Sequence, residues 1–172
     1  MSESLPPSVL IPVGVVVERS KAASQWIDFT WRPAAVLPGI PDTPAWTTLK
    51  TGPDATTFYA GEAKIELHRA HTQFYRDNLS PGAPVLWVAM SPTDSDPPYS
   101  IAAVTADPTE GEGYSETGVN MVDVVPMPEA IREVVAAFIV QYHVDEPFFK
   151  RKRDRANPEA MGRRRPMHED RE

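Results

Sequence analysis

Apolar and β-branched residues arrive in short blocks along most of the chain, and the spacing inside each block predicts its element. "VLIPVGVVVERS" (residues 9–20) is rich in β-branched residues and reads as a buried strand. In "TWRPAAVLPG" (residues 30–39), Trp31, Pro33, Ala35 and Leu37 alternate with Arg32, Ala34 and Val36. Pro33 cannot donate to a ladder, so this segment belongs at a sheet edge or a bulge. "ATTFYAG" and "AKIELHR" (from residues 55 and 63) predict two short strands. The second turns Ile65 and Leu67 inward and Lys64, Glu66 and His68 outward. "VLWVAM" (residues 85–90) is apolar throughout and predicts a central strand, with "YSIAAVTA" (99–106) as its hairpin partner. The acidic, glycine-bearing "DPTEGEGYSETG" predicts a loop, and "VNMVDVV" (119–125) a last strand.

The period then changes. Ile131, Val134, Val135, Phe138, Ile139 and Tyr142 recur at helical spacing and form one apolar stripe. Pro128 suits a first helical position, where its missing N–H costs nothing, and Glu129 and Glu133 favour the positive end of the helix dipole. Strands in a run followed by one packing helix predict an α+β fold: a mostly antiparallel sheet, or a partly open barrel of short strands, with one C-terminal helix and a basic tail. The expected divisions are a flexible N-terminus (1–8), a single β-rich domain (9–145) and a basic arm (146–172).

Composition bounds the function classes. The chain has 172 residues, 19 prolines and no cysteine, which excludes disulfides, thiolate metal sites and cysteine nucleophiles. Its N-terminus lacks a basic region followed by a long apolar core. The longest apolar run, "VVAAFIV", is seven residues, against roughly 20 for a spanning helix. A cytoplasmic protein without a membrane span is expected.

Charge is unevenly placed. Residues 1–149 hold 8 Lys+Arg and 19 Asp+Glu, while residues 150–172 hold 9 and 5. In that tail Phe148 and Phe149 precede Lys150, Arg151, Lys152, Arg153 and Arg155. Adjacent phenylalanines on a helix do not share a face, so at least one is available for other contacts. Three uses compete. The arm folds back on its own acidic body, docks to another protein, or contacts phosphates of a nucleic acid. The acidic body would repel a polyanion and no reader motif is present, which places nucleic acid behind a protein partner. A membrane surface would want a larger apolar face.

Few residues suggest chemistry. His68 and His71 form H-x-x-H, but in an extended run positions i and i+3 face opposite ways, so they read as surface histidines. No metal ligands, cofactor site or catalytic residues are assigned. "EGEG" lacks the lysine of a phosphate loop, and no nucleophile elbow is present. Asp94, Asp96, Glu110, Glu112 and Glu116 read as solvated loop charge. Trp26 and Trp31 are either core residues or an aromatic surface for a ligand or partner.

Taken in order, "IPVGVVVERS", "WRPAAVLPG", "VLWVAMSPTDSDPPYSIAAVTADP", "VVPMPEAIREVVAAFIVQYH" and "FFKRKRDRANPEAMGRR" resemble domain-of-unknown-function family 3305, over about residues 9–166. The resemblance implies a small cytoplasmic protein of a family often encoded beside molybdenum-dependent formate dehydrogenase and its assembly factors. It supplies no catalytic residues. The function expected is therefore a non-catalytic accessory or assembly protein whose partner is a molybdoenzyme or its assembly factor. A small-molecule binder with a pocket near Trp26 and Trp31, and a nucleic-acid binder using the arm, are the alternatives.

Overall fold

A computed structural model describes residues 8–144. β1 (Ser8–Lys21) is the spine of the first sheet. It pairs on one side with β2 (Phe29–Pro38) and on the other with β4 (Ala55–His68), whose outer neighbour is β3 (Thr47–Thr51). The second sheet places β5 (Val85–Pro92) between β6 (Tyr99–Thr105) and β7 (Met121–Pro126). Every pairing is antiparallel. Among the described residues three α-helices accompany the sheets: α1 (Thr72–Leu79), α2 (Pro108–Glu116) and α3 (Glu129–Tyr142).

The architecture is α+β with two open sheets and no closed barrel. The sheets approach each other where β4 meets β6 and β2 meets β7. One core joins them: Val13, Val15 and Val17 of β1, Ile65 and Leu67 of β4, Leu86, Val88 and Met90 of β5, and Ile131, Val135 and Phe138 of α3. Each such side chain stabilises by about 1.5–3 kcal/mol on leaving water, so the stripe of α3 is committed to this core. Val134, expected in that stripe, is exposed, and Pro128 is the N-cap rather than the first helical residue.

Several expectations hold. β5 is central in its sheet, and β6 is its antiparallel partner. β2 is an edge strand, and the ladder shifts register opposite Pro33, between Val16 and Val17. Others need correction. Residues 55–68 form one long strand, not two, because Gly61 absorbs an irregularity at φ +137° where β1 and β4 change register between Val15 and Val16. A positive φ is open to glycine at no steric cost. The acidic segment after residue 106 is helical rather than a loop. Asp107 caps α2, its Oδ1 accepting from the Thr109 and Glu110 amides at 2.9 and 3.4 Å, with Pro108 in the first turn. That is an N-cap with a preformed first residue, and it outweighs the glycines that follow. α1 is also additional to the single helix expected.

Candidate functional site

Two regions concentrate groups that the fold does not consume. The first lies where β4 ends. After His68 the chain makes a short 3-10 turn (Arg69–His71) directly into α1. This folds the two histidines together, with ring centroids 5.3 Å apart and planes at 60°. The expectation that they face apart is thus overturned, because the extended run stops at the first of them. His68 Nε2 stands 3.4 Å from Glu66 Oε1. His71 turns toward α2, where its Nδ1 stands 3.4 Å from Asp107 Oδ2. Asp107 is 3% exposed. Glu110, one turn into α2, completes a group whose candidate ligand atoms all lie within 4.8 Å of one another. Glu110 is exposed, and the Tyr114 hydroxyl donates to its Oε1 at 3.4 Å.

Tyr75 anchors this turn from inside. Its hydroxyl accepts the His68 backbone N–H at 2.9 Å, and its ring meets Phe138 of α3 at 6.1 Å. Burial, chiefly, pushes its pKa up to about 12. On the outer side a cavity of about 550 Å³ is lined by Arg69, Thr72, Gln73, Tyr142, His143 and Val144, among others. His143 Nδ1 and Thr72 Oγ1 are 2.9 Å apart there, and the Arg69 guanidinium lies 5.3 Å over the Tyr142 ring.

The second region is the tip of the β1–β2 hairpin. The Ala22 amide donates to the Asp28 carbonyl at 3.2 Å, and the Lys21 amide to the Asp54 carbonyl at 3.2 Å. The turn is thereby closed and tied to the neighbouring β3–β4 turn. Trp26 stands on it 90% exposed, with Ile27 more than half in water and Phe29 partly so. The Arg19 guanidinium covers the Phe29 ring at 4.4 Å. Trp31 has a different role. It stacks on Phe58 at 5.7 Å and meets Trp46 and Tyr99 at 6.1 Å each, bridging the two sheets. A ring as exposed as Trp26 packs on nothing, so the two tryptophans do not form one surface.

Of the carboxylates read as loop charge, Asp94 and Asp96 do lie between β5 and β6, whereas Glu110, Glu112 and Glu116 are on α2. Asp107 was not singled out by sequence reasoning, although "DPTE", a capping residue followed three positions later by glutamate, is a helix-start signature. Phe148, Phe149, Lys150, Arg151, Lys152, Arg153 and Arg155 lie outside the described residues. Among the described residues, no helix is long and apolar enough to cross a membrane.

Fold and sites together define an α+β protein of two antiparallel sheets, with a His–carboxylate turn at one place and an exposed aromatic tip at another. The chain belongs to the family described as "Protein of unknown function (DUF3305)", whose model matches residues 12–153. No curated protein and no solved structure matched it.

Proposed function

We propose that this protein is a non-catalytic accessory or assembly factor that docks to another protein, a molybdenum-dependent formate dehydrogenase or one of its assembly factors. The observation that carries the docking is the hairpin tip, where Trp26, Ile27 and Phe29 are offered to solvent on a closed turn. Large aromatic anchors on rigid supports concentrate binding energy at protein interfaces, and a pre-closed turn loses little entropy on docking. The basic arm, with Phe148 and Phe149 ahead of its cations, is the second contact of this reading and supplies steering that weakens with salt. What supports the class of partner is the gene neighbourhood that the family resemblance implies.

The test is reconstitution with the purified dehydrogenase and, separately, with its assembly factors. Wild-type chain is compared with a Trp26→Ser/Ile27→Ser variant and with a chain lacking residues 146–172. The reading expects a complex with one of these proteins that weakens at least ten-fold in one or both variants. No complex with any of them, or equal affinity in all three chains, would overturn it.

A further inference from the structure

We propose that His71, Asp107 and Glu110 form a binding site for a divalent transition-metal ion, with zinc as the best match, stapling the end of β4 to the start of α2. The inference begins with an orphan. His71 Nδ1 is enclosed by protein and has no hydrogen-bond partner, and such groups in folded proteins call for an explanation. Its neighbour, Asp107 Oδ2, is 3.4 Å away, beyond the roughly 2.7–3.2 Å of an N–H···O bond. Two ligands each about 2.0–2.1 Å from a tetrahedral zinc stand about 3.3–3.4 Å apart. The observed separation is thus long for a hydrogen bond and matches one edge of a coordination tetrahedron.

The second observation is the burial of Asp107, 3% exposed. A carboxylate in that setting is costly without a cation or a full set of donors. Its Oδ1 is occupied by the Thr109 and Glu110 amides. Those bonds orient the side chain so that Oδ2 is directed at His71. The helix cap therefore serves as the outer support that metal-ligating carboxylates use. Glu110 offers a third ligand, within 4.8 Å of the other two, and its exposed side chain is free to rotate inward onto an ion. The donor set of one imidazole and two carboxylates suits zinc, manganese or ferrous iron, and the 3.4 Å between His71 Nδ1 and Asp107 Oδ2 matches the short bonds of zinc. Glu110 is exposed and the His71 side chain is 40% exposed, so an ion has an entry path, and the fourth position is left to water.

The full-length chain, stripped with a chelator, is titrated with Zn²⁺ by calorimetry and by competition with a chelating dye. One equivalent should bind at micromolar affinity or tighter and raise the melting temperature. Co²⁺ in place of zinc should give the visible d–d bands of a four-coordinate ion. His71→Gln and Glu110→Gln should each weaken binding about ten-fold or more, and Asp107→Asn, which keeps a capping side chain, should do the same. His168→Gln should leave binding unchanged. Absence of a stoichiometric site in the wild-type chain overturns the proposal and leaves a simple Asp–His pair. So does undiminished binding in both His71→Gln and Glu110→Gln, or loss of binding in His168→Gln. The cobalt spectrum is read on the wild-type chain and does not depend on any variant folding.

Discussion

Asn78 and Val85 hold each other through two reciprocal hydrogen bonds. Asn78 Nδ2 donates to the Val85 carbonyl at 2.8 Å, and Asn78 Oδ1 accepts the Val85 amide at 3.1 Å. The same Nδ2 also donates to the Ala106 carbonyl at 3.0 Å. One side chain, 7% exposed, thus stitches the last turn of α1 to the first residue of β5 and to the chain leaving β6. Asn78→Leu keeps the branched shape and the number of heavy atoms but strands three backbone groups. At about 1 kcal/mol or more for each, a loss of about 3 kcal/mol is expected in urea denaturation. Asn78→Asp should be no milder at neutral pH, because it sets a carboxylate against two carbonyl oxygens. A loss below about 1 kcal/mol in both variants would mean that water replaces the bridge.

Two glycines in one helix should respond with opposite sign to the same change. A Cβ on Gly111 would stand 2.2 Å from Trp87 Cγ and 2.6 Å from Trp87 Cβ, the root of a side chain fixed in β5. Nothing lies within 4 Å of a Cβ on Gly113. Alanine in a helix interior is worth up to about 1 kcal/mol over glycine, so Gly113→Ala should stabilise by up to that amount. Gly111→Ala should instead destabilise by about 2 kcal/mol or more through overpacking. Thermal melts of the two variants check this, and a stabilised Gly111→Ala would show that α2 does not lie against Trp87. Because α2 is capped by Asp107 and carries Glu110, Gly111→Ala should also disturb the cluster with His71.

The pH dependence turns on Tyr75. Burial raises its pKa from the usual 10.0 to about 12. Below pH 10 the folded and unfolded chains both keep the phenolic proton, and the stabilisation is fully present. Between pH 10 and 12 the unfolded chain releases it first, so stability falls as pH rises through this window. The loss should reach about 2–3 kcal/mol. Tyr59 and Tyr114 are also shifted upward and contribute in the same direction, so the measurement is a difference. Tyr75→Phe should lose about 1 kcal/mol at neutral pH, with the bond from the His68 amide gone. It should also show a shallower decline above pH 10. Equal slopes in the two proteins would mean that Tyr75 ionises as freely as in the unfolded chain.

What could be read in advance was what one period imposes. The stripe of α3, the apolar run of β5, its pairing with β6 and the edge position of β2 follow from spacing and from one proline. Residues 108–116 fold as a helix where their composition predicts a loop, because composition and capping disagree. Two glycines and three glutamates argue for a loop, while Asp107 with Pro108 starts a helix, and the cap prevailed. The His71 cluster was hidden for a different reason. Its partners lie 36 and 39 positions away, and they meet only because β4 stops at His68 and Asp107 caps the start of α2. Spacing along the chain describes faces of one element and is silent about where two elements meet. Trp26 and Trp31 show the same limit. They are five residues apart, yet the hairpin assigns one to water and the other to the seam between the sheets.

That division yields the sharpest test of the docking surface. Trp26 is 90% exposed, so its removal sacrifices almost no buried area, and Trp26→Ser should change unfolding stability by no more than about 0.5 kcal/mol. Trp31→Ser deletes a ring packed on Phe58, Trp46 and Tyr99 and should cost about 3 kcal/mol. If the tip docks, Trp26→Ser weakens the complex while the chain unfolds at the wild-type denaturant midpoint, which separates lost contact from lost fold. A Trp26→Ser chain that binds normally would remove the anchor from the interface. One that unfolds early would mean that the ring packs on the body and is no free surface at all. Fluorescence gives an internal check: an exposed indole emits at longer wavelength than a packed one, so Trp26→Ser should shift the emission toward the blue, and partner binding to the wild-type chain should do likewise.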